Sequence, residues 1–402
     1  MYKKVKACRA CGNLQLKEVY DLGVQPLAND FCRSNQESAG HVPLKVMFCE
    51  ECTNSQLSVV VDPNIIYSNY PYVTSKSQTM KDHFRNLWNE ITKEVKPKTL
   101  VEIGSNDGLF LNFCHDEGVE SVIGIDPAIN LHPSQGPDGV TSICSLFDEQ
   151  VAREIVDREI HPDVIVARHV FCHINDWREF MQNIEAISNS ETLVVIEVPY
   201  VMDMIRGLEF DTIYHEHLDY LSIKAMDYLL EGFMFHIHRI VRFEIHGGAI
   251  VLILRRDDCE NAADPGVEIF SELEVLNLDI WEKFKQGCDR KIYQLKDMIT
   301  RMPPTMKVVG FGASAKSTVW INACGFTSKH IKFICDCTPE KQCKFSPGND
   351  IPIYPESELM GQNADVAVLF AWNFKKEILA KNQEFISTGG RFLIPDIGIS
   401  SV

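Results

Sequence analysis

The sequence predicts an α/β protein of three units, and three observations carry that prediction. Two Cys-x-x-Cys pairs stand near the N-terminus, Cys8/Cys11 and Cys49/Cys52. Residues 101–108, Val-Glu-Ile-Gly-Ser-Asn-Asp-Gly, join an apolar run to a glycine turn, and Gly124-Ile125-Asp126 ends the next apolar run. A second glycine turn, Gly310-Phe311-Gly312-Ala313-Ser314-Ala315-Lys316, follows a further apolar run, and Asp336 closes the one after it. The units implied are 1–75, 76–256 and 257–402, since a chain of 402 residues is too long for one compact core.

In the first unit each Cys-x-x-Cys pair can form a tight knuckle with both sulfurs facing one point. Two knuckles supply the four thiolates of a tetrahedral structural zinc, so Cys8, Cys11, Cys49 and Cys52 form a zinc ribbon-like site with no open catalytic position. Without metal the same residues would be a buried thiol cluster. Asp21-Leu22-Gly23 and Pro26-Leu27-Ala28-Asn29 read as turns in the loop between the pairs.

The second unit opens with helical spacing of Met80, Phe84, Leu87, Trp88 and Ile91 within 78–95. Strands are expected at 99–103, 121–125, 164–167 and 192–197, alternating with helices. The runs 236–245 and 249–255 flank Gly247-Gly248 and read as an antiparallel hairpin. Parallel units closed by a hairpin are the pattern of a Rossmann-like class I methyltransferase sheet. The third unit begins with a linker, Asp257-Asp258 through Asp264-Pro265-Gly266. A long amphipathic helix over 267–302 follows, ended by Pro303-Pro304. Strands at 306–309, 331–335, 366–370 and 391–394 complete a Rossmann-like α/β unit.

Composition narrows the function. The formal net charge of −17 opposes binding along a nucleic-acid backbone, which needs clustered Lys and Arg. No apolar run reaches the roughly 20 residues that span a bilayer. Met1-Tyr2-Lys3-Lys4-Val5-Lys6 is followed by no apolar stretch and is not a signal peptide. Fourteen cysteines without a secretion signal point to a reducing cytoplasm.

The first glycine turn carries Glu102, Gly104, Ser105, Asn106, Asp107 and Gly108. Its acids would repel a pyrophosphate but not S-adenosylmethionine (SAM), whose sulfonium and amino group are cationic. Asp126 is placed to accept hydrogen bonds from a ribose. Phe147 is a candidate cover for the adenine. The second turn has no acid. Its backbone amides and Lys316 favour a pyrophosphate, with Gly312 and Ala313 in the cradle. An NAD site with Asp336 on a ribose competes with this reading, and so does a glycine turn kept only for packing.

Methyl transfer to carbon needs a base, and beside a ketone it needs a donor for the developing oxyanion. Thr212-Ile213-Tyr214-His215-Glu216-His217 follows the fourth central strand, where open α/β sheets place their sites. The run offers a base with an orienting carboxylate; a metal site and a solvated loop are the alternatives. His173 follows the strand before it. Tyr67, Tyr70 and Tyr72 could line a cleft between units or simply pack, and His246 could face the site from the hairpin turn.

Taken in order, the Cys-x-x-Cys pairs, D-L-G-x-x-P-L-A-N, E-I-G-S-N-D-G, Y-H-E-H-L, H-G-G, G-F-G-A-S-A-K and P-G-N-D-I-P-I resemble one family over nearly the whole chain. It is the zinc-containing, SAM-dependent sugar C-3 methyltransferases that make branched deoxysugars. The resemblance implies a nucleotide-diphosphate 4-keto-6-deoxysugar as substrate, commonly thymidine-linked. It implies that His217 removes the C-3 proton and that Tyr214, Glu216, His173 and Tyr72 belong to the catalytic site. Tyr70 is the next match for the boundary tyrosine. It also implies that the third unit holds the nucleotide diphosphate. The chain departs from the family at His169, where some members carry Asn, at Ser75-Lys76-Ser77, and at Ser314 and Ser317. The residues themselves leave open an NAD-dependent oxidoreductase, a non-catalytic scaffold and a zinc-ribbon RNA-binding protein.

Overall fold

The computed structural model describes residues 1–33, 40–68, 70–132, 138–258, 267, 274–395 and 399–401. Its strands are, in chain order, β1 (Tyr2–Lys4), β2 (Leu16–Pro26), β3 (His41–Cys49), β4 (Ser55–Leu57), β5 (Val59–Val61), β6 (Thr99–Ile103), β7 (Ser121–Ile125), β8 (Val140–Ile143), β9 (Val164–Arg168), β10 (Leu193–Pro199), β11 (Asp219–Tyr220), β12 (Phe235–Phe243), β13 (Ala249–Arg256), β14 (Val308–Phe311), β15 (Ile334–Cys335), β16 (Ile353–Tyr354), β17 (Val366–Leu369), β18 (Arg391–Pro395) and β19 (Ile399–Ser401).

The central sheet runs β8-β7-β6-β9-β10-β13-β12. β6 through β10 are parallel, and the β12–β13 hairpin adds two antiparallel strands at one edge. The inner parallel strands β6, β9 and β10 are buried on both faces and read as largely apolar runs for that reason. Strand order reverses between β6 and β9, which opens a crevice at their carboxyl ends. The C-terminal sheet, β16-β15-β14-β17-β18-β19, is parallel except for β19 and has its own reversal between β14 and β17.

A four-stranded antiparallel sheet, β11-β4-β3-β2, underlies the N-terminal segment, and β1 pairs with β5 apart from it. The expected turn at Asp21-Leu22-Gly23 is instead a bulge inside β2. Pairing with β3 jumps between Asp21 and Val24, Gly23 takes φ +75°, and its N–H donates to Asp21 Oδ1 at 2.8 Å. Glycine supplies the left-handed backbone that lets the strand continue past the bulge. β11 comes from far along the chain, directly after the Tyr-His-Glu-His run. It is pinned to the N-terminal sheet by Arg9 and Asn54, which meet Asp219 at 3.5 and 3.1 Å.

The long C-terminal helix begins at Leu278, capped by the Asn277 side chain on the Ile280 N–H. The expected start at Val267 and most of the expected linker fall on 259–273, which outside Val267 are not described residues. The buried stripe of this helix is Trp281, Phe284, Cys288, Lys291, Leu295 and Ile299. Phe284 meets Tyr20 of β2 edge-on at 5.6 Å. Lys291 is buried and donates to the Leu208 carbonyl at 3.2 Å. β14 lies two residues later than expected and β15 is confined to 334–335, because pairing with the neighbouring strands, not apolarity, sets their ends. Among the described residues no helix is long and apolar enough to cross a membrane.

Candidate active site

A cavity of about 540 Å³ opens at the carboxyl ends of β6, β7 and β9. Its first wall is the glycine turn. Gly104 has φ +75°, and a Cβ there would lie 2.0 Å from Val170 Cγ2, so only glycine fits. The Asn106 and Ala128 N–H groups donate to the two Asp126 oxygens at 2.8 and 2.9 Å. Burial raises the Asp126 carboxyl above its ordinary range. Asn106 Oδ1 accepts from the Thr74 N–H and hydroxyl, its Nδ2 donates to the Tyr72 carbonyl, and Asp107 accepts from the Ser75 N–H. These bonds sew the 72–75 segment onto the turn and bring Tyr72 to the cavity.

Not every acid of the turn faces the ligand space. Glu102 is fully buried and accepts from Arg168 Nε at 3.1 Å and from Arg168 Nη2. The guanidinium also lies 4.0 Å from the Phe84 ring centre. Of the expected cofactor residues, Gly104, Asn106, Asp126 and Phe147 line the cavity; Glu102, Ser105, Asp107 and Gly108 stand behind them. Arg168 itself reaches the wall, and the sequence reading omitted it because nothing local marks a strand-end arginine as the partner of a residue on another strand.

The opposite wall carries the titratable run. The His217 Nδ1 lies 2.8 Å from the Thr212 carbonyl, and its Nε2 lies 2.6 Å from Tyr214 Oη. A carbonyl only accepts, so Nδ1 carries the proton and Nε2 presents its lone pair to the tyrosine hydroxyl. The His173 ring lies 5.3 Å from that of His217 and stacks on Tyr67 at 5.6 Å. Burial, then His173 and Lys316, push the His217 imidazole well below its usual range. Burial lowers His173 to about 3. Both rings are therefore neutral at neutral pH.

Glu216 turns the other way. Its carboxylate accepts from Asn29 Nδ2 at 2.7 Å and Tyr70 Oη at 2.9 Å, and burial pushes it up to about 7 against those two donors. It lines a second cavity of about 360 Å³ that adjoins the first across Asn29 and Tyr70. His215 is a core residue, 3.2 Å from the Val42 carbonyl. His246 reaches the first cavity from the hairpin turn and meets His169 edge-on at 4.8 Å. Behind His169, the Glu197 carboxylate lies 2.6 Å from His83 Nε2. Burial pushes Glu197 up, but His83 and His169 outweigh it and hold it at about 2.

Lys316 lines the cavity; Gly312 and Ala313 do not. The donors of the second glycine turn are largely spent on the protein. The Ala313 N–H donates to Asp336 at 2.7 Å, and Ser314 and Ser317 cap each other's N–H. The other Asp336 oxygen accepts from the Thr338 N–H at 2.8 Å. Thr74 and Lys341 also line the cavity and were not singled out in the sequence, and Thr212, which lines it too, was named only as the start of the Tyr-His-Glu-His run. Only their neighbours gave a signal.

In the N-terminal unit Cys8 Sγ lies 3.4 Å from Cys52 Sγ and Cys11 Sγ 3.6 Å from Cys49 Sγ, with all four sulfurs within 4.8 Å of one another and none in a disulfide. A Zn–S length of about 2.3 Å gives a tetrahedral edge of about 3.8 Å, so the four thiols fit one zinc ion.

Comparison with known proteins agrees with this layout. Residues 8–67 match the family described as "Putative zinc binding domain", 77–239 a methyltransferase domain, and 244–395 a C-methyltransferase C-terminal domain. Among solved structures, the plantazolicin methyltransferase BpumL in complex with SAH is similar over 43% of this chain and 81% of its own, at 13% identity and TM-score 0.34. An S-adenosylmethionine dependent methyltransferase from Mesorhizobium loti is similar over 42% of this chain and 97% of its own, at 11% identity and TM-score 0.33. The C-methyltransferase NovU of Streptomyces niveus is 30% identical over 403 residues, covering 98% of this chain and 96% of that one. With a cysteine quartet built for zinc and a glycine-turn cavity facing a neutral imidazole, the chain belongs to the family of NovU and is a SAM-dependent C-methyltransferase that carries a zinc-binding unit.

Proposed function

We propose that the chain methylates C-3 of a nucleotide-diphosphate 4-keto-6-deoxysugar, through an enolate that His217 generates. The observation that carries this reading is the orientation of His217. Its proton is held on Nδ1 by the Thr212 carbonyl, its Nε2 accepts from the Tyr214 hydroxyl, and the ring lines the cavity that Gly104 and Asn106 also line. SAM bound against Gly104, Asn106, Asp126 and Phe147 supplies an electrophilic methyl group. His217 Nε2 takes the proton from the carbon beside the ketone. Tyr214 Oη, the donor at that nitrogen in the free protein, turns to the ketone oxygen as negative charge develops there. Burial makes the imidazolium costly until that charge forms beside it. The sugar lies between Tyr72, Tyr214 and His217, and the nucleotide extends toward the second cavity, where Phe31, Asn130 and Lys344 form part of the wall.

The units 1–75, 76–256 and 257–402 are kept as the working division, supported by the three main sheets, with β11 crossing from the second unit into the first. A reducing cytoplasm is supported by the quartet Cys8, Cys11, Cys49 and Cys52, whose thiols are in no disulfide and are grouped for a metal ion. An NAD-dependent oxidoreductase is the weaker reading, since the C-terminal unit that carries Asp336 matches a C-methyltransferase C-terminal domain. Mass spectrometry of 4-keto sugar nucleotides incubated with SAM tests the reaction. One added methyl group, with loss of the exchangeable deuterium beside the ketone, is expected; a product methylated on oxygen would exclude the enolate route.

Two further expectations follow from the wall residues. Asp126→Ala removes the acceptor of the Asn106 and Ala128 N–H groups and should weaken SAM binding about tenfold to a hundredfold by calorimetry. Unchanged affinity would take Asp126 out of the cofactor site. The pH dependence has a definite sign. A histidine held below 6.5 stays unprotonated, and so able to act as a base, as pH falls past 6.5. Any fall in kcat/KM that comes from protonating His217 is therefore expected only below pH 6.5, apart from the titration of Glu216 at about 7. A limb centred at or above 6.5 that disappears with the imidazole would contradict the burial argument.

A further inference from the structure

The turn that supports the base through the Thr212 carbonyl is held from the C-terminal unit. Phe210–Thr212 form one 3-10 turn. Asp211 Oδ2 accepts from two indoles, Trp320 Nε1 at 3.0 Å and Trp372 Nε1 at 2.6 Å. Lys316, in the first turn of the helix Ala315–Cys324, donates to Thr212 Oγ1 at 2.5 Å. Its ammonium also lies 3.6 Å from Asp211 Oδ1, 3.9 Å from Glu209 Oε2 and 4.8 Å from the Trp372 ring centre. Thr212 then offers its carbonyl to His217 Nδ1 at 2.8 Å. One residue thus links a cation of the C-terminal unit to the imidazole of the central one.

The same contacts make Lys316 a poor ligand for a diphosphate. Two carboxylates already meet its charge, and both would repel an approaching phosphate. Three of the neighbouring backbone donors are also spent, since Ala313, Ser314 and Ser317 give their N–H groups to protein side chains. Without the ammonium, Glu209 and Asp211 would face each other with no cation at the cavity side, and the turn carrying Thr212 would relax away from them.

We propose that Lys316 is a positioning residue: acting through Thr212, it fixes the orientation and tautomer of the His217 ring, so that the C-terminal unit aims the base and does not grip the diphosphate with this lysine. The proposal rests on the reading of His217 as the base. A ring displaced by about 1 Å can lose about a hundredfold in rate.

The test uses the full chain with its zinc and three variants, Lys316→Met, Lys316→Arg and Thr212→Val. Two readouts are taken: kcat and KM for the sugar nucleotide, and the 15N signals of the His217 ring, identified by their loss in His217→Gln. Wild-type protein is expected to show a neutral ring protonated at Nδ1. Lys316→Met should give a mixture of tautomers, with kcat down about 30- to 100-fold and KM within about threefold. Lys316→Arg should recover most of kcat. Thr212→Val removes the hydroxyl link but keeps the lysine, and should change ring and kcat in the same direction; it decides the matter if Lys316→Met does not fold. A KM at least tenfold higher at unchanged kcat in Lys316→Met would return Lys316 to the diphosphate and overturn the proposal. Unchanged ring signals in folded Lys316→Met and Thr212→Val would overturn it as well. Should the wild-type chain methylate no 4-keto sugar nucleotide, the substrate reading fails alone, and the ring signals still decide this one.

Discussion

His217→Ala is expected to lower turnover by about 10³- to 10⁴-fold while the affinity for SAM stays within about threefold. The split follows from where the ring sits. Its bonds are to Thr212 and Tyr214, on the wall facing the glycine turn, and none goes to Gly104, Asn106 or Asp126. Removing the imidazole takes away the proton acceptor and leaves the cofactor wall intact. Exchange of the sugar's C-3 proton with deuterated water should stop in the same variant. Normal turnover by a folded His217→Ala protein would assign the base elsewhere, and His173, with its ring 5.3 Å away and its Nε2 without a hydrogen-bond partner among the described residues, would be next to examine.

The second large effect is expected from the zinc-binding unit. Cys49→Ser should lose the stoichiometric zinc, expose the N-terminal segment to protease, and cost at least about tenfold in turnover. A structural zinc with no open position contributes no chemistry, so the loss must travel through the fold. The route is visible. Cys49 ends β3, β3 pairs with β4, and β4 pairs with β11, the strand that begins two residues after His217. Asn29, which follows β2, holds the Glu216 carboxylate beside it. SAM affinity should change less than about threefold, because the Gly104 turn belongs to the central sheet. Metal analysis, limited proteolysis and calorimetry on one preparation check all three parts. A zinc-free, folded variant with full turnover would show the first unit to be independent of the site.

Much of this was legible locally. A glycine turn after an apolar run requires a strand, a left-handed backbone and a helix within about a dozen residues, so β6 and β7 lie where the spacing puts them. Paired Cys-x-x-Cys knuckles need only short-range geometry to converge two sulfurs each. The hairpin around Gly247-Gly248 was likewise readable from flanking apolar runs. The N-terminal strands were not, because their pattern is broken by the bulge at Asp21–Gly23, and a bulge reads as a turn in sequence. β11 could not be assigned at all from two residues; its partner strand lies more than 160 residues earlier in the chain.

What the sequence by itself determined is the set of chemical groups: four thiols, a glycine turn with an acid at the next strand end, and a tyrosine-histidine-glutamate run after the fourth central strand. Only the tertiary structure decided how each group is used. Glu102, read as an acid for a cationic cofactor, meets Arg168 across 66 positions of chain. Lys316, read as a phosphate ligand, meets Thr212 across 104. Asp336, read as the ribose partner of a competing NAD site, accepts the Ala313 N–H of the glycine turn. The physical reason is that backbone stereochemistry and strand periodicity act over a few residues and can be read in order. A buried charge or donor must find its partner wherever the fold brings one within about 3 Å, and that distance carries no mark in the local sequence.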